Sequence, residues 1–259
     1  MTSAPSREDA EDVAHTESLP LRRMNAPLAA SAFPSNADAL ERSALVQAWA
    51  QGWALSRGVP APHARGDHLR IDVGLPGHVT RYLLPHLDRD LLARLVSTQA
   101  RSGTWLKICA SPTEVAPLLP PGWRVHEPEF LMGTVLVDSD IPQVEGYRAR
   151  IELALPLLRA ELIAAAGEVA ASGQAAVDGA FATFDQIVTA DAHRRRGLGR
   201  AVMAALTRGA RDRGARQGVL VATEAGAALY QALGWSMVSP VTAASLVESD
   251  PAAGALAAR

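Results

Sequence analysis

One segment of the chain, Ile187–Gly199, constrains the fold more than any other part of the sequence. It reads IVTADAHRRRGLG and passes from an apolar run typical of a strand, through a loop rich in cations, to two glycines that open a predicted helix. The first turn of a helix has unpaired backbone N–H groups and lies at the positive end of the helix dipole. Gly197 and Gly199 leave the backbone open to an anion, because neither has a Cβ. The segment therefore predicts an anion site, with a diphosphate as the expected ligand.

Four arginines add charge-assisted donors to this predicted site, namely Arg194, Arg195, Arg196 and Arg200. Two other phosphate motifs fit poorly. A P-loop needs Gly-Lys-Ser/Thr at the helix start, where this chain has Gly-Leu-Gly-Arg. A dinucleotide fingerprint needs a third glycine, where this chain has Val202. On these residues alone, a solvated arginine face stays open as the alternative.

The composition excludes several classes of protein. Of the 259 residues, 48% are apolar, which is enough for a sizeable core, and no apolar run reaches the roughly 18 residues of a membrane span. The formal net charge of -2 argues against a dedicated nucleic-acid-binding protein. Cys109 is the single cysteine, which excludes an internal disulfide and a multi-thiolate metal site. Since no secretory signal is evident, we expect a cytoplasmic protein without a metal or a membrane partner.

Strand and helix patterns are mixed along the chain, and they predict an α/β protein with a mixed sheet and helices on both faces. Residues 1–37 are rich in Ala, Ser and Pro and predict a disordered tail. Predicted helices cover 38–57, 87–96, 113–119, 157–166, 197–213 and 226–233. Predicted strands cover 68–73, 79–84, 105–110, 123–137, 147–154, 168–177, 180–189, 218–222 and a last segment from 235.

A weak internal repeat follows when Trp123 is placed on Trp235 without gaps. The predicted strand at 107–110 then falls on 219–222, and the predicted helix at 113–119 falls on 225–231. Identity is low, but the order of strand, helix, glycine and tryptophan is the same in both segments. The repeat favours a duplication, and the polar residues between 138 and 147 mark the expected boundary.

Two motifs together resemble the GNAT superfamily of acyl-CoA-dependent N-acyltransferases. The first is Arg194-x-x-Gly197-x-Gly199 after a strand, and the second is Leu229-Tyr230-x-x-Leu233-Gly234-Trp235 after the next strand. The resemblance covers about residues 147–245 and is strongest over 185–237. It implies a GNAT fold for a catalytic domain at 147–259. Together with the repeat, it implies a degenerate GNAT-like domain at 38–138, in which Leu118 stands where the second half has Tyr230.

The resemblance also implies how acetyl-CoA, the expected cosubstrate, is held. The backbone of three strand residues would bind the pantetheine arm: Ile187, Val188 and Thr189. The pyrophosphate would lie on the loop and first turn of the helix: Arg194, Arg195, Arg196, Gly197, Leu198, Gly199 and Arg200. Thr223 stands where the family often has an asparagine, so its contact with the cosubstrate is an expectation by position alone.

Tyr230 is implied as the general acid for the leaving thiolate, and the N–H of Val188 as the group that polarises the carbonyl. The family has no fixed general base; Asp185 is the ionisable candidate on the strand, with a water chain as the alternative. The expected activity is acetyl transfer to a primary amine of a small molecule or peptide. A non-catalytic acyl-CoA-binding or regulatory module, and transfer of a longer acyl group, remain alternatives.

Overall fold

The computed structural model describes residues 36–138, 140–154 and 156–246, which belong to one compact unit. Of the predicted tail at 1–37, residues 36 and 37 are described, and the rest lies outside the described residues. The described residues form five α-helices: Asn36–Arg57 (α1), Arg89–Arg94 (α2), Pro112–Val115 (α3), Leu198–Arg211 (α4) and Glu224–Ala232 (α5). None of these helices is long and apolar enough to cross a membrane.

Twelve strands form the sheet of the described chain. The first six are His63–Arg65 (β1), His68–Leu75 (β2), His78–Leu84 (β3), Thr104–Ile108 (β4), Trp123–Val125 (β5) and Glu129–Val135 (β6). The others are Tyr147–Ala154 (β7), Leu157–Ala164 (β8), Val169–Asp178 (β9), Phe181–Thr189 (β10), Gln217–Thr223 (β11) and Ser236–Leu246 (β12). The predicted α/β class with a mixed sheet is confirmed.

The helix predicted at 157–166 is wrong, because this segment forms strand β8. Its Leu, Ala and Glu residues favour a helix on propensity alone. In the fold, however, β8 pairs with β7 on one side and β9 on the other, so both edges of its backbone are hydrogen-bonded. Leu158, Ala160 and Leu162 are buried and alternate along the strand, which is the period of a sheet rather than of a helix.

The strand order is β1-β2-β3-β4-β12-β6-β11-β10-β9-β8-β7, with β5 also paired to β12. Only two of the described pairs are parallel, β3 with β4 and β10 with β11, and a helical segment connects each pair. Between these pairs, β6 lies against β11 and β12 lies against β4. The N-terminal half thus places β6 beside the parallel pair of the C-terminal half. The C-terminal half in turn places β12 beside the parallel pair of the N-terminal half. The division into domains at 38–138 and 147–259 stays a prediction.

Helices cover the C-terminal part of the sheet from both sides. Helix α4 packs against β8 and β9 with a buried inner face that consists of Val202, Met203, Leu206 and Ala210. Helix α1 packs against β9, β10 and β11, and its apolar side forms a second core with Val219 and Leu131. We call the side of the sheet that α1 covers the α1 face. The N-terminal helix therefore covers strands of the C-terminal half.

A close backbone contact seats α1 on β10. A Cβ added to Gly52 would lie 2.1 Å from the Thr183 side-chain oxygen, so only glycine fits at this position. The same Thr183 hydroxyl donates a hydrogen bond to the carbonyl of Ala48, 3.1 Å away and one helical turn earlier. These two contacts fix the height of α1 above the sheet.

Replacing Gly52 tests this contact. The variant Gly52→Ala should lower the free energy of unfolding by roughly 1–3 kcal/mol, the usual cost of adding atoms to a well-packed contact. Gln51→Ala is the matched control, because Gln51 is half-buried on the same helix. Chemical denaturation of both variants measures the difference. Equal stability of Gly52→Ala and the wild-type protein would contradict the close seating of α1.

Candidate functional site

The parallel strands β10 and β11 part from one another, and this opens the candidate site. Their ladder is limited to Phe181–Thr183 of β10 and Gln217–Val219 of β11. Within the described chain they share no further pair, although β10 continues to Thr189 and β11 to Thr223. The predicted binding strand is therefore unpaired on its β11 side at Ile187, Val188 and Thr189. Its backbone groups there are available to a linear ligand that binds as an added strand would.

A bulge in β10 marks the point where the strands have parted. The ladder with β9 jumps from Asp185 to Val188, and Gln186 has a positive φ of 55°, which is uncommon for a residue with a side chain. Opposite the bulge stands Gly173, where a Cβ would lie 2.4 Å from the Ile187 Cδ1 atom. Gly173 thus makes room for Ile187 to pack inward. Val188 follows it with 57% of its surface exposed.

The predicted anion loop lies directly beyond β10 and before α4. Gly197 caps the helix with a φ of 78°, and no atom lies within 4 Å of where its Cβ would be. Open space and a left-handed backbone at a helix N-terminus are the features that an anion-binding turn needs. Leu198 is buried beneath the turn and anchors it. The residues predicted to hold a diphosphate are therefore arranged as an open helix N-terminus.

The four predicted arginines of this loop are all exposed: Arg194, Arg195, Arg196 and Arg200. Arg194 forms an exposed ion pair with Asp191, with Nη2 and Oδ1 2.7 Å apart. Arg195 has a positive φ of 63°, so the backbone turns sharply within the cationic run. Exposed ion pairs of this kind contribute little to stability, and the Arg194 side chain can exchange Asp191 for another anion at low cost.

A hydrogen-bonded chain supports the loop from behind. The Tyr147 hydroxyl lies 2.9 Å from the His193 Nδ1 atom and accepts a hydrogen bond from Arg196 at 3.0 Å. On its other side, His193 Nε2 lies 3.2 Å from a carboxylate oxygen of Glu168. The chain connects β7, the loop and the turn before β9. His193 is thus part of the support of the loop.

The second motif lies on α5, next to this loop. The Thr223 hydroxyl caps α5 by accepting a hydrogen bond from the N–H of Gly226 at 3.3 Å. A Cβ on Gly199 would lie 3.1 Å from Leu229, the residue before Tyr230, so the glycine lets α5 approach the first turn of α4. The structure therefore brings the first and second motifs together and gives Thr223 a capping role of its own.

Tyr230 is buried with its ring against Trp235, at a centroid distance of 6.0 Å. Within the described residues its hydroxyl makes no hydrogen bond. Burial raises the pKa of Tyr230 to about 12, and the negative charge of Asp185 adds to the shift. The phenol therefore keeps its proton at neutral pH. A protonated hydroxyl that makes no hydrogen bond to the described residues is suited to donate one to a ligand.

Asp185, the candidate base, is bound to the C-terminal end of α1. Arg57 donates two hydrogen bonds to the carboxylate, from Nε at 2.8 Å and from Nη2 at 3.2 Å. Ser56 donates a third at 2.8 Å. These three donors hold the carboxylate in a fixed position at the end of α1. The structure places Asp185 close enough to Tyr230 to act on its pKa, but in an ion pair with a residue of the N-terminal half.

Sequence reasoning missed a group of charged side chains on the α1 face. Arg81 of β3 is only 7% exposed, and its guanidinium lies 3.9 Å from the ring centroid of Trp53 on α1. Its Nε donates to the Nε2 atom of His78 at 3.2 Å. Burial lowers the pKa of Arg81 to about 10. The signal was present as a charged residue amid the apolar run of β3, but nothing in the sequence indicates what lies opposite.

Two neighbouring strands extend this group. Lys107 of β4 is buried and forms an ion pair with Glu129 of β6. Trp105 of β4 stacks on His126, with ring centroids 4.6 Å apart. Lys107 is the single lysine of the chain, and its position on an apolar strand is the only sequence signal of this pair. Burial raises the pKa of the nearby Cys109 thiol to about 12, so the thiol stays protonated at neutral pH.

A comparison with protein families shows what this part of the chain is similar to. A family model described as an acetyltransferase (GNAT) domain matches residues 159–237, a span that contains β10, the loop, α4 and α5. A search of curated proteins found no match.

Solved structures resemble more of the chain than the matched domain. A GCN5-related N-acetyltransferase from Kribbella flavida is 15% identical, with a TM-score of 0.55 over 80% of this chain and 96% of that one. A GCN5-related N-acetyltransferase from Sphaerobacter thermophilus is 14% identical, with a TM-score of 0.52 over 82% and 93%. Identities this low establish the fold alone. That a second, degenerate copy occupies 38–138 stays a prediction.

The environment of His78 predicts a pH dependence of stability. Burial, together with the positive charges of Arg81 and Lys107, lowers the pKa of His78 from 6.5 to about 4. As the pH falls from 6.5 to 4, the unfolded chain takes up a proton that the folded chain does not, so the free energy of unfolding decreases. In His78→Gln this contribution is absent, and the decrease should be smaller. The control is His63→Gln on exposed β1, which should retain the wild-type slope in denaturation series across this range.

Proposed function

We propose that the protein is an acetyl-CoA-dependent N-acetyltransferase that transfers the acetyl group directly to a primary amine of a small molecule or peptide. The observation that carries this proposal is the parting of β10 and β11 between two features. One is the open N-terminus of α4, and the other is the buried hydroxyl of Tyr230. A linear thioester with a diphosphate further along its chain would be bound at three points of this arrangement: the strand edge, the helix N-terminus and the tyrosine.

The cosubstrate would lie along β10 and end on α4. The backbone of Ile187, Val188 and Thr189 would bind the pantetheine arm, in place of the missing strand partner. The diphosphate would accept hydrogen bonds from the first turn of α4 around Gly197, with the exposed arginines around it. The open space at Gly197 is the feature of this chain that supports the fit.

The reaction would proceed by attack of the neutral amine nitrogen on the thioester carbonyl. The C–N bond forms, the C–S bond breaks with its electron pair going to sulfur, and one proton passes from nitrogen to the thiolate. The N–H of Val188, next to the bulge, would donate a hydrogen bond to the carbonyl oxygen as it gains charge. Tyr230 would donate its hydrogen bond to the sulfur as the thiolate develops.

Deprotonation of the amine is the step for which Asp185 is proposed. Its carboxylate is paired with Arg57, so an amine would compete with that guanidinium for the same oxygens. Proton transfer through water, or binding of an already neutral amine, remains the alternative. The pH profile of kcat/KM for Asp185→Asn, compared with that of the wild-type enzyme, distinguishes the two routes.

Turnover is the direct test of the proposed function. Incubation of the chain with acetyl-CoA and a panel of primary amines should release free CoA, measured as thiol, together with an acetylated amine. Acetyl-CoA binding without thiol release for any amine would favour a non-catalytic module. The same assay with propionyl-CoA and succinyl-CoA measures the acyl preference.

Tyr230→Phe tests the acid. We expect kcat to fall by roughly 10- to 1000-fold, the range of general acid–base contributions, while the Kd of acetyl-CoA changes little. Tyr82→Phe is the control, because that hydroxyl is bonded to Gln99 in a separate core. Steady-state kinetics and calorimetry measure the two quantities. Unchanged turnover in Tyr230→Phe would remove this residue from the mechanism.

Gly197→Asp tests the diphosphate loop. A carboxylate at the anion site should weaken acetyl-CoA binding by at least about tenfold, which corresponds to about 1.4 kcal/mol of repulsion. Gly66→Asp is the matched control, because Gly66 lies in the β1–β2 turn with a positive φ of 64° and equally open surroundings. Both variants carry the same backbone strain and the same added charge. If calorimetry shows equal Kd values for the two, the loop does not hold the cosubstrate.

A further inference from the structure

Arg81 is a largely buried cation whose terminal nitrogens make no hydrogen bond to the described residues. Its single hydrogen bond within these residues runs from Nε to His78. One face of the guanidinium is covered by Trp53, and the side chain is 7% exposed. The two terminal NH₂ groups are not among the fully buried atoms of the described residues, so they keep contact with solvent. A largely buried charge normally has a partner, and these two groups are open to one from outside the chain.

The charges around Arg81 are unequal in number. The charged cluster consists of Arg57, Arg81, Lys107, Glu129 and Asp185, whose carboxylates and guanidiniums all act on the pKa of Arg81 or of its neighbour Lys107. Glu129 forms an ion pair with Lys107, and Asp185 forms one with Arg57. Within the cluster, Arg81 is the cation that is not in an ion pair. The cluster thus carries one positive charge in excess, and it would be neutral with one more anion.

The charged cluster reaches from Arg81 to the acyl-transfer site. The guanidinium of Arg57 lies 5.7 Å from the ring centroid of Trp53, and that of Arg81 lies 3.9 Å from it. The two guanidiniums are therefore less than about 10 Å apart. Arg57 in turn is bonded to Asp185, which acts on the pKa of Tyr230. Arg57 and Asp185 thus connect Arg81 with the surroundings of Tyr230.

We propose that the amine acceptor carries a carboxylate, and that this carboxylate pairs with Arg81 while the amino group lies toward Asp185 and Tyr230. This inference rests on the proposed function, because it specifies the acceptor of the same site. A carboxylate matches the two outward N–H groups of a guanidinium side by side. It also adds one negative charge, which balances the excess, whereas a phosphate group would add nearly two.

The experiment compares acceptors that differ only in this group. A series of straight-chain amino acids of increasing length is assayed with acetyl-CoA, each beside its own carboxamide, and kcat and KM are measured for both. A hydrogen-bonded charge pair of this kind predicts that the acid has a kcat/KM roughly 10- to 100-fold higher, mainly through KM. The best chain length then reports the distance between Arg81 and the reacting nitrogen.

Substitutions of Arg81 test whether this residue causes the preference for the acid over the carboxamide. In Arg81→Met the acid and the carboxamide should be used about equally, while Arg81→Lys should keep part of the preference, since it retains the charge but loses the planar fork. Arg70→Met is the control, because Arg70 is a partly exposed arginine on β2 that pairs with Asp72. If Arg81→Met does not fold, the wild-type comparison of acid with carboxamide and Arg81→Lys still decide the matter.

Binding without acetyl-CoA separates this inference from the proposed function. The acids should raise the midpoint of thermal unfolding of the wild-type protein and of Arg70→Met, whereas the carboxamides, and any ligand of Arg81→Met, should not. If no amine is acetylated but the acids bind through Arg81, the proposed function fails and the carboxylate site stands. Acetylation of acids and carboxamides at equal rates would overturn the carboxylate site and leave the transferase.

Discussion

The candidate site depends on the loss of pairing between β10 and β11 after three residues. Continued pairing would fill the edge of β10 with hydrogen bonds to β11 and would close the sheet. The bulge at Gln186 turns the strand away, and Gly173 accepts the Ile187 side chain that the bulge turns inward. The strained backbone is held by packing on α4, where Val202 would also contact a Cβ at Gly173. Packing in the core thus maintains the gap between β10 and β11.

The N-terminal half lies against the parted strands on the α1 face of the sheet. Helix α1 crosses that face, seated at Gly52, and it presents Ser56 and Arg57 to Asp185. Strand β6 pairs with the other edge of β11. The N-terminal half thereby contributes side chains to the candidate site.

Local patterns predicted the parts of the site that are contiguous in sequence. The strand to Thr189, the glycine loop and α4 follow from periodicity and end signals within one stretch, and Tyr230 follows from its motif. The wrong helix at 157–166 shows the limit of this reasoning, because pairing on both edges outweighs propensity there. The charged cluster could not be predicted from local patterns at all. Arg57, Arg81, Lys107, Glu129 and Asp185 come from five separate elements, and only the strand order brings them together.

The pair of Asp185 and Arg57 fixes a negative charge close to Tyr230. Burial raises the pKa of Tyr230 to about 12, and the charge of Asp185, held by a guanidinium and a serine hydroxyl, adds to this shift. The phenol therefore keeps its proton at neutral pH. In the proposed reaction, the same negative charge would favour the positive charge that develops on the amine nitrogen during attack. Asp185 would then assist both the attacking and the leaving group as a fixed charge, beside the proton transfer for which it is proposed.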